Sequence, residues 1–245
     1  MKKEWISGRN PVYECLRANR RHFYRIVVNK GSNQKGRLAE VITLARKAGL
    51  QIELVDKFHL DDIHENHQGV ALQADGYPYS DLSTVITRTI ERGESLFILI
   101  ADQVQDVQNL GTLLRAAEVF GVHGVLIPAR RSADVTPAVV NASSGASELM
   151  DIVQINLSQA IDQLKEAGVW IVGLDMDQKA QELSTIDLSG PIAIVVGSEG
   201  SGLRRLVREK CDHIAYIPMV GQVDSLNAAV SGSIALYEAF KARSR

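Results

Sequence analysis

Cysteine is nearly absent: Cys15 and Cys211 are the only two in 245 residues, and they stand far apart and fit no metal-ligand spacing. That excludes a disulfide framework or a cysteine zinc site as the organising device, and both read as ordinary thiols. Long apolar runs are missing too. No stretch reaches the roughly 18 to 20 residues that cross a bilayer, and the opening MKKEWISGRNPVYE lacks the apolar core of a secretory signal. A soluble, cytoplasmic protein with no membrane partner is expected. Internal repeats and low-complexity tracts are absent. His64 and His67 of HENHQG are three residues apart with no third ligand near them, so no bound metal is expected.

What is present begins with charge. The net charge is only −2, but residues 1–47 hold twelve lysines and arginines against three glutamates, a balance of +9 that leaves −11 for residues 48–245. The basic opening, with RANRRHFYR and NQKGR, suits phosphate, and Phe23 and Tyr24 are available to stack on bases. A solvated helix end and a charged turn would leave the same pattern. With 45% hydrophobic residues the chain can bury one large core or a large and a small one.

Periodicity favours two. Helix and strand patterns alternate through NPVYECLRA (helix), FYRIVVNK (strand), KGRLAEVITLARKAG (a helix closed by Gly49), LQIELVD and GVALQAD (strands), predicting a small α/β unit over residues 1–75. Residues 76–94 carry the Gly, Pro and Ser of a linker around one weak helix. From 95 to 245 near-continuous apolar strands such as LFILIAD, GVLIPA, VWIVGLD and PIAIVVG alternate with helices, including a small-residue one around AVVNASSGASE. This pattern means a mostly parallel sheet covered on both faces, with ligands at the strands' carboxyl ends.

Three polar clusters sit at such ends. In ADQVQDVQNLGTLLRAA, Asn109 is placed to cap the following helix, and Arg115 lies near its middle between Leu113, Leu114, Ala116 and Ala117. In VVGSEGSGLRRL the glycines are Gly197, Gly200 and Gly202, the reverse order of a dinucleotide fingerprint, and no lysine completes a phosphate loop. Glu199 would repel a phosphate there, so the turn suits a cationic ligand or one with hydroxyl and amine donors. In IPMVGQVDSLNAAVSGSIALYE, Ile217, Pro218 and Met219 end a strand, and Ser225 is expected to cap a helix whose first turn holds Leu226 and Asn227. That helix is lined with small residues, Ala228, Ala229, Ser231, Gly232 and Ser233, which permit close packing or a second subunit.

Together DQVQDVQNLGTLLRAA, IVVGSEGSGL and IPMVGQVDSLNAAV, in this order and spacing, resemble the three motifs of the SpoU (TrmH) branch of the SPOUT RNA methyltransferases. GRNPVYECL extends the likeness over nearly the whole chain. The resemblance implies S-adenosylmethionine as methyl donor, methylation of a ribose 2'-hydroxyl of a guanosine in 23S rRNA, and a homodimer. It also implies an α/β, SPOUT-type sheet with a C-terminal trefoil knot, a feature periodicity alone would not suggest, and an N-terminal RNA-binding domain of the L7Ae/L30 kind. Carried onto this sequence, the cofactor falls to Gly197, Ile217 and Leu226, with Gly200 and Met219 beside them. Asn109 and Arg115 face the target nucleotide, and Glu199, Ser225 and Asn227 complete the site. Val107 stands where many relatives have proline, and Ala229 where a serine often follows the Ser-Leu-Asn. Other readings are a tRNA ribose methyltransferase, an enzyme for a different rRNA site, and an RNA-binding module with an inactive methyltransferase fold. The glycine order argues against a dinucleotide oxidoreductase.

Overall fold

In the computed structural model, which describes residues 3–130, 133–177, 180–223 and 225–244, the chain forms two units: Met1–Pro78 with Asp134–Leu149, and Tyr79–Ala133 with Met150–Arg245. The first runs β1 (Lys3–Ser7), α1 (Arg9–Ala18), β2 (Phe23–Asn29), α2 (Arg37–Lys47), β3 (Ile52–Val55), α3 (Lys57–Asp61) and β4 (Val70–Asp75). Its sheet has the order β1-β4-β2-β3, with β2 and β3 parallel and β4 antiparallel to both its neighbours. Leu38, Val41, Ile42 and Ala45 of α2 repeat at helical spacing and are buried, as are Pro11, Val12, Cys15 and Leu16 of α1. Gly49, with φ 70°, follows the end of α2. β1 and α3 are additions to the elements expected from the pattern.

The second unit runs α4 (Leu82–Glu91), β5 (Phe97–Ala101), α5 (Val107–Val119) and β6 (Gly124–Pro128). The chain then contributes α6 (Pro137–Ala142) and a 3-10 turn (Ala146–Leu149) to the first unit before returning. The expected single helix here is broken by Ser144 and Gly145, at φ 54° and 89°. A Cβ on Gly145 would lie 2.8 Å from Cβ of Glu14 on α1, so only glycine fits. The turn carries Glu148 to Arg21, both almost wholly enclosed, with the side chains 1% and 0% exposed. Arg21 donates from Nη2 and Nε to the two Glu148 oxygens at 2.6 and 2.9 Å, and from Nη1 to the Asp75 carbonyl at 2.9 Å.

The chain continues as β7 (Ile152–Ile155), α7 (Leu157–Glu166), β8 (Trp170–Leu174), β9 (Gln181–Glu182), β10 (Ile192–Val196), α8 (Arg205–Glu209), β11 (His213–Tyr216) and α9 (Ala228–Arg243). Among the described residues these strands make one sheet in the order β7-β6-β5-β10-β8-β11-β9, with every neighbouring pair parallel. Placing β10 beside β5 aligns Val196 with Ala101, and Val196 in turn with Leu174 of β8, so three strands end together. That reversal of strand order is where parallel sheets open a crevice. Gly232 lets α9 settle onto α5 and β10, since a Cβ there would lie 2.5 Å from Leu113 Cδ2 and 2.9 Å from Val196 Cγ2.

Both helix caps differ from expectation. Asp106 caps α5, its side chain accepting from the Asn109 backbone at 2.8 Å, so Asn109 sits inside the first turn with its own amide free to act elsewhere. Asn227, not Ser225, caps α9, accepting from the Ala229 and Val230 backbones at 2.9 and 3.2 Å.

Candidate functional site

The loop after β10 is fixed first by its own backbone. Ser198 N–H donates to the Gly202 carbonyl at 3.2 Å and Gly202 N–H donates back at 3.1 Å. A Cβ on Gly197 would sit 2.4 Å from the Gly202 carbonyl carbon, so the space left by this glycine is taken by the loop itself rather than by a ligand. Gly200 and Gly202 adopt φ 86° and 63°. A residue not anticipated from the sequence anchors the far end: Asp102, 0% exposed at the end of β5, accepts from Arg204 N at 2.8 Å and Arg204 Nε at 2.5 Å. An acid closing the apolar strand FILIAD was the available signal, but its partner is 102 residues away.

This closed loop presents Glu199. Its Oε1 accepts from Nδ2 of Asn109 at 3.0 Å and from Nδ2 of Asn227, while Asn227 Nδ2 also contacts Asn109 Oδ1 at 2.9 Å. Residues from three distant motifs therefore meet in one hydrogen-bonded cluster. Asn227 serves twice, since its Oδ1 caps α9 while its Nδ2 holds Glu199.

The cluster borders a cavity of about 570 Å³, lined on its apolar side by Leu174, Met176, Ile217, Met219 and Leu226 and on its polar side by Asp175, Glu199, Ser225 and Asn227. Gly197 and Gly200 also line it. Asp175, another residue not anticipated, accepts from Arg208 Nη1 at 2.7 Å. A second cavity of about 330 Å³ shares Ser198, Glu199 and Ala228 with the first, and adds Gln103 and Asn109 among its walls. Arg115 is not brought to the cluster within one chain. It is exposed on α5, lines neither cavity, and makes no hydrogen bond or ion pair among the described residues.

Other reactive groups lie elsewhere. Burial pushes the Cys211 thiol up to about 12, and Cys15, enclosed beside Glu148, is also raised, so neither is a nucleophile at neutral pH. His67 Nδ1 accepts from Gly69 N at 2.8 Å and its Nε2 lies 3.2 Å from Asp61. Among the described residues no group of three or more His, Cys, Asp or Glu is placed to hold a metal ion, and no helix is long and apolar enough to cross a membrane.

A parallel sheet with its site at the strand ends and an amide-held carboxylate between two cavities defines an α/β protein of the SPOUT methyltransferase fold. The chain belongs to the SpoU rRNA methylase family, whose model matches residues 96–237, while a model for RNA 2'-O ribose methyltransferase substrate binding matches residues 5–80. It is 37% identical to YacO of Bacillus subtilis, named as a TrmH-family tRNA/rRNA methyltransferase, over 98% of this chain and 96% of that one. It is 40% identical to a tRNA/rRNA methyltransferase of Mycolicibacterium vanbaalenii, over 98% of this chain and 77% of the relative. Among solved structures, the AdoMet-bound rRNA methyltransferase of Sinorhizobium meliloti superposes with TM-score 0.80 at 26% identity, covering 98% of this chain and 87% of that one. The SpoU methyltransferase AviRb of Streptomyces viridochromogenes gives TM-score 0.82 at 22% identity, over 98% and 90%.

Proposed function

We propose that this protein transfers a methyl group from S-adenosylmethionine to a ribose 2'-hydroxyl in RNA, its target a guanosine of 23S rRNA, as in bacterial enzymes of the RlmB kind. The observation that carries this reading is the Glu199 carboxylate, held by Asn109 and Asn227 on the wall shared by two cavities. The larger cavity suits the donor. Its volume of about 570 Å³ lies in the range of small-molecule sites, its apolar lining accepts a base ring, and Asp175 and Glu199 complement cationic groups. Gly197, Gly200, Ile217, Met219 and Leu226 would hold the cofactor, which supplies, when bound, a methyl group already activated by its sulfonium sulfur.

The chain's own task is to orient the ribose and assist a weak nucleophile. Both amides reach Glu199 Oε1, which leaves Oε2 open to accept the hydrogen bond of the 2'-hydroxyl. Ser225 lies on the same wall as Asn227 and completes the polar side. Arginine keeps its proton to a pKa above about 12, so Arg115 acts as an electrostatic clamp on phosphate and developing oxyanion rather than as a base. Because one chain does not bring Arg115 to the cavities, this role requires the second subunit. Exposed Val119 of α5, with Tyr237 and Phe240 of α9 gathered around Phe120, forms an apolar patch suited to a homodimer, and Arg115 lies one turn before Val119 on that face. The trefoil knot and a cytoplasmic location belong to the same reading, as does RNA selection by an N-terminal domain over residues 1–75.

Incubation with labelled S-adenosylmethionine and separated tRNA and rRNA, followed by mapping of the label, tests it. A 2'-O-methylguanosine in 23S rRNA is expected. Label confined to tRNA would overturn the target, and no label in any RNA would favour an RNA-binding module.

A further inference from the structure

We propose that the smaller cavity seats the base of the target nucleotide and that Gln103 reads its edge, an inference that rests on the methyltransferase reading above. Glu199 stands on the wall between the two cavities. With the donor on one side, the ribose must reach Glu199 from the other, and its base then enters the space of about 330 Å³ bounded by Gln103, Val104, Asp106 and Ser201.

Gln103 holds its backbone at φ 61°, a left-handed conformation that favours glycine. Gln68 adopts a similar φ of 52°, but there the residue is repaid within the fold: its Oε1 accepts from Arg9 N and its carbonyl from Arg9 Nε, both at 3.0 Å. The Gln103 side chain has no hydrogen-bond partner among the described residues. Both of its neighbours are fixed, Asp102 by its N–H bond to the Val196 carbonyl at 2.7 Å and by Arg204, and Val104 by its carbonyl bond from Ala133 N at 3.1 Å. A rigid, unfavourable backbone that presents an unused amide to a cavity has its benefit outside the fold. A carboxamide offers one donor and one acceptor in a plane, the complement of a base edge that carries both. Asp106, whose Oδ1 is taken by Asn109 N at 2.8 Å, adds a second acceptor from Oδ2.

The test compares Gln103→Gly and Gln103→Asn with wild type in single-turnover methyl transfer from labelled S-adenosylmethionine to total RNA from cells lacking the gene, with cofactor affinity and melting temperature measured alongside. Gln103→Gly is expected to melt at a higher temperature than wild type, because glycine accepts this φ, and to bind the cofactor equally well, yet to transfer methyl about tenfold more slowly. Gln103→Asn, which keeps the amide and tolerates the conformation, is expected to fall between the two. Transfer by Gln103→Gly within twofold of wild type would overturn the assignment, as would a parallel loss of cofactor affinity, which would make Gln103 a prop of the cofactor loop. A wild-type protein that methylates no RNA would overturn both this inference and the reading beneath it.

Discussion

The two units use charge in opposite ways. In the first, Arg21 and Glu148 are sealed from water and saturated by one another and by the Asp75 carbonyl. In the second, Glu199 is exposed, and two neutral amides hold one of its oxygens while the other stays open. A buried, fully paired charge fixes a fold, because its partner cannot leave without exposing it to a poor solvent. An exposed charge held still by neutral donors adds little to stability and keeps its field for a ligand. The difference separates structural from functional ionisable groups better than their residue types do.

The largest expected effect breaks the first half of that contrast. Glu148→Ala leaves the buried Arg21 guanidinium only the Asp75 carbonyl and Glu4 at 3.5 Å, and should cost about 3 kcal/mol in urea unfolding, whereas a double replacement by Met and Leu should recover most of it. Cofactor affinity, which the proposed site assigns to the other unit, should not change in either variant. Next come the site groups. Asn227→Ala should lower turnover by about 10²–10³ while costing about 1 kcal/mol of stability through the lost cap; comparable losses of stability and activity would make it only a cap. Arg115→Lys should keep RNA affinity within a few-fold and lose most turnover. Gly232→Ala adds a methyl against Leu113 and Val196, a clash of about 1–3 kcal/mol set against about 1 kcal/mol of helix propensity, and should lower the melting temperature modestly.

The smallest effect concerns pH. Burial lowers the pKa of His123 in spite of Glu94 at 3.1 Å, and its Nδ1 already accepts from Phe97 N at 3.0 Å. The unfolded chain therefore takes up the proton first, and stability falls as pH drops below the ordinary value of 6.5. Urea midpoints between pH 8 and 5 should show a shallower decline for His123→Gln than for wild type.

Much of this was legible because it is local. Apolar runs such as FILIA and IAIVV announced buried strands, and Leu38, Val41, Ile42 and Ala45 announced α2 by spacing alone. The motifs named Asn109, Glu199 and Asn227 before geometry brought them together. The features that are not legible in the sequence depend on distant partners. Strand β1 is five residues that gain their identity only by pairing with β4, nearly seventy positions later. The caps lie a few residues from the expected positions because Asp106 and Asn109, like Ser225 and Asn227, are all competent caps, and residue type alone does not choose between them. Asp102 gains its role only from Arg204, a partner 102 residues away. Gln103 carried no signal at all, since its distinction is a backbone angle.

The most direct test of the central claim, that Glu199 divides a donor cavity from an acceptor cavity, is a crystal structure of the protein grown with S-adenosylmethionine. The donor's adenine is expected among Leu174, Ile217 and Leu226, with its methyl group turned toward Glu199 and the smaller cavity. A donor bound with its methyl facing away from Glu199, or outside the larger cavity, would contradict it.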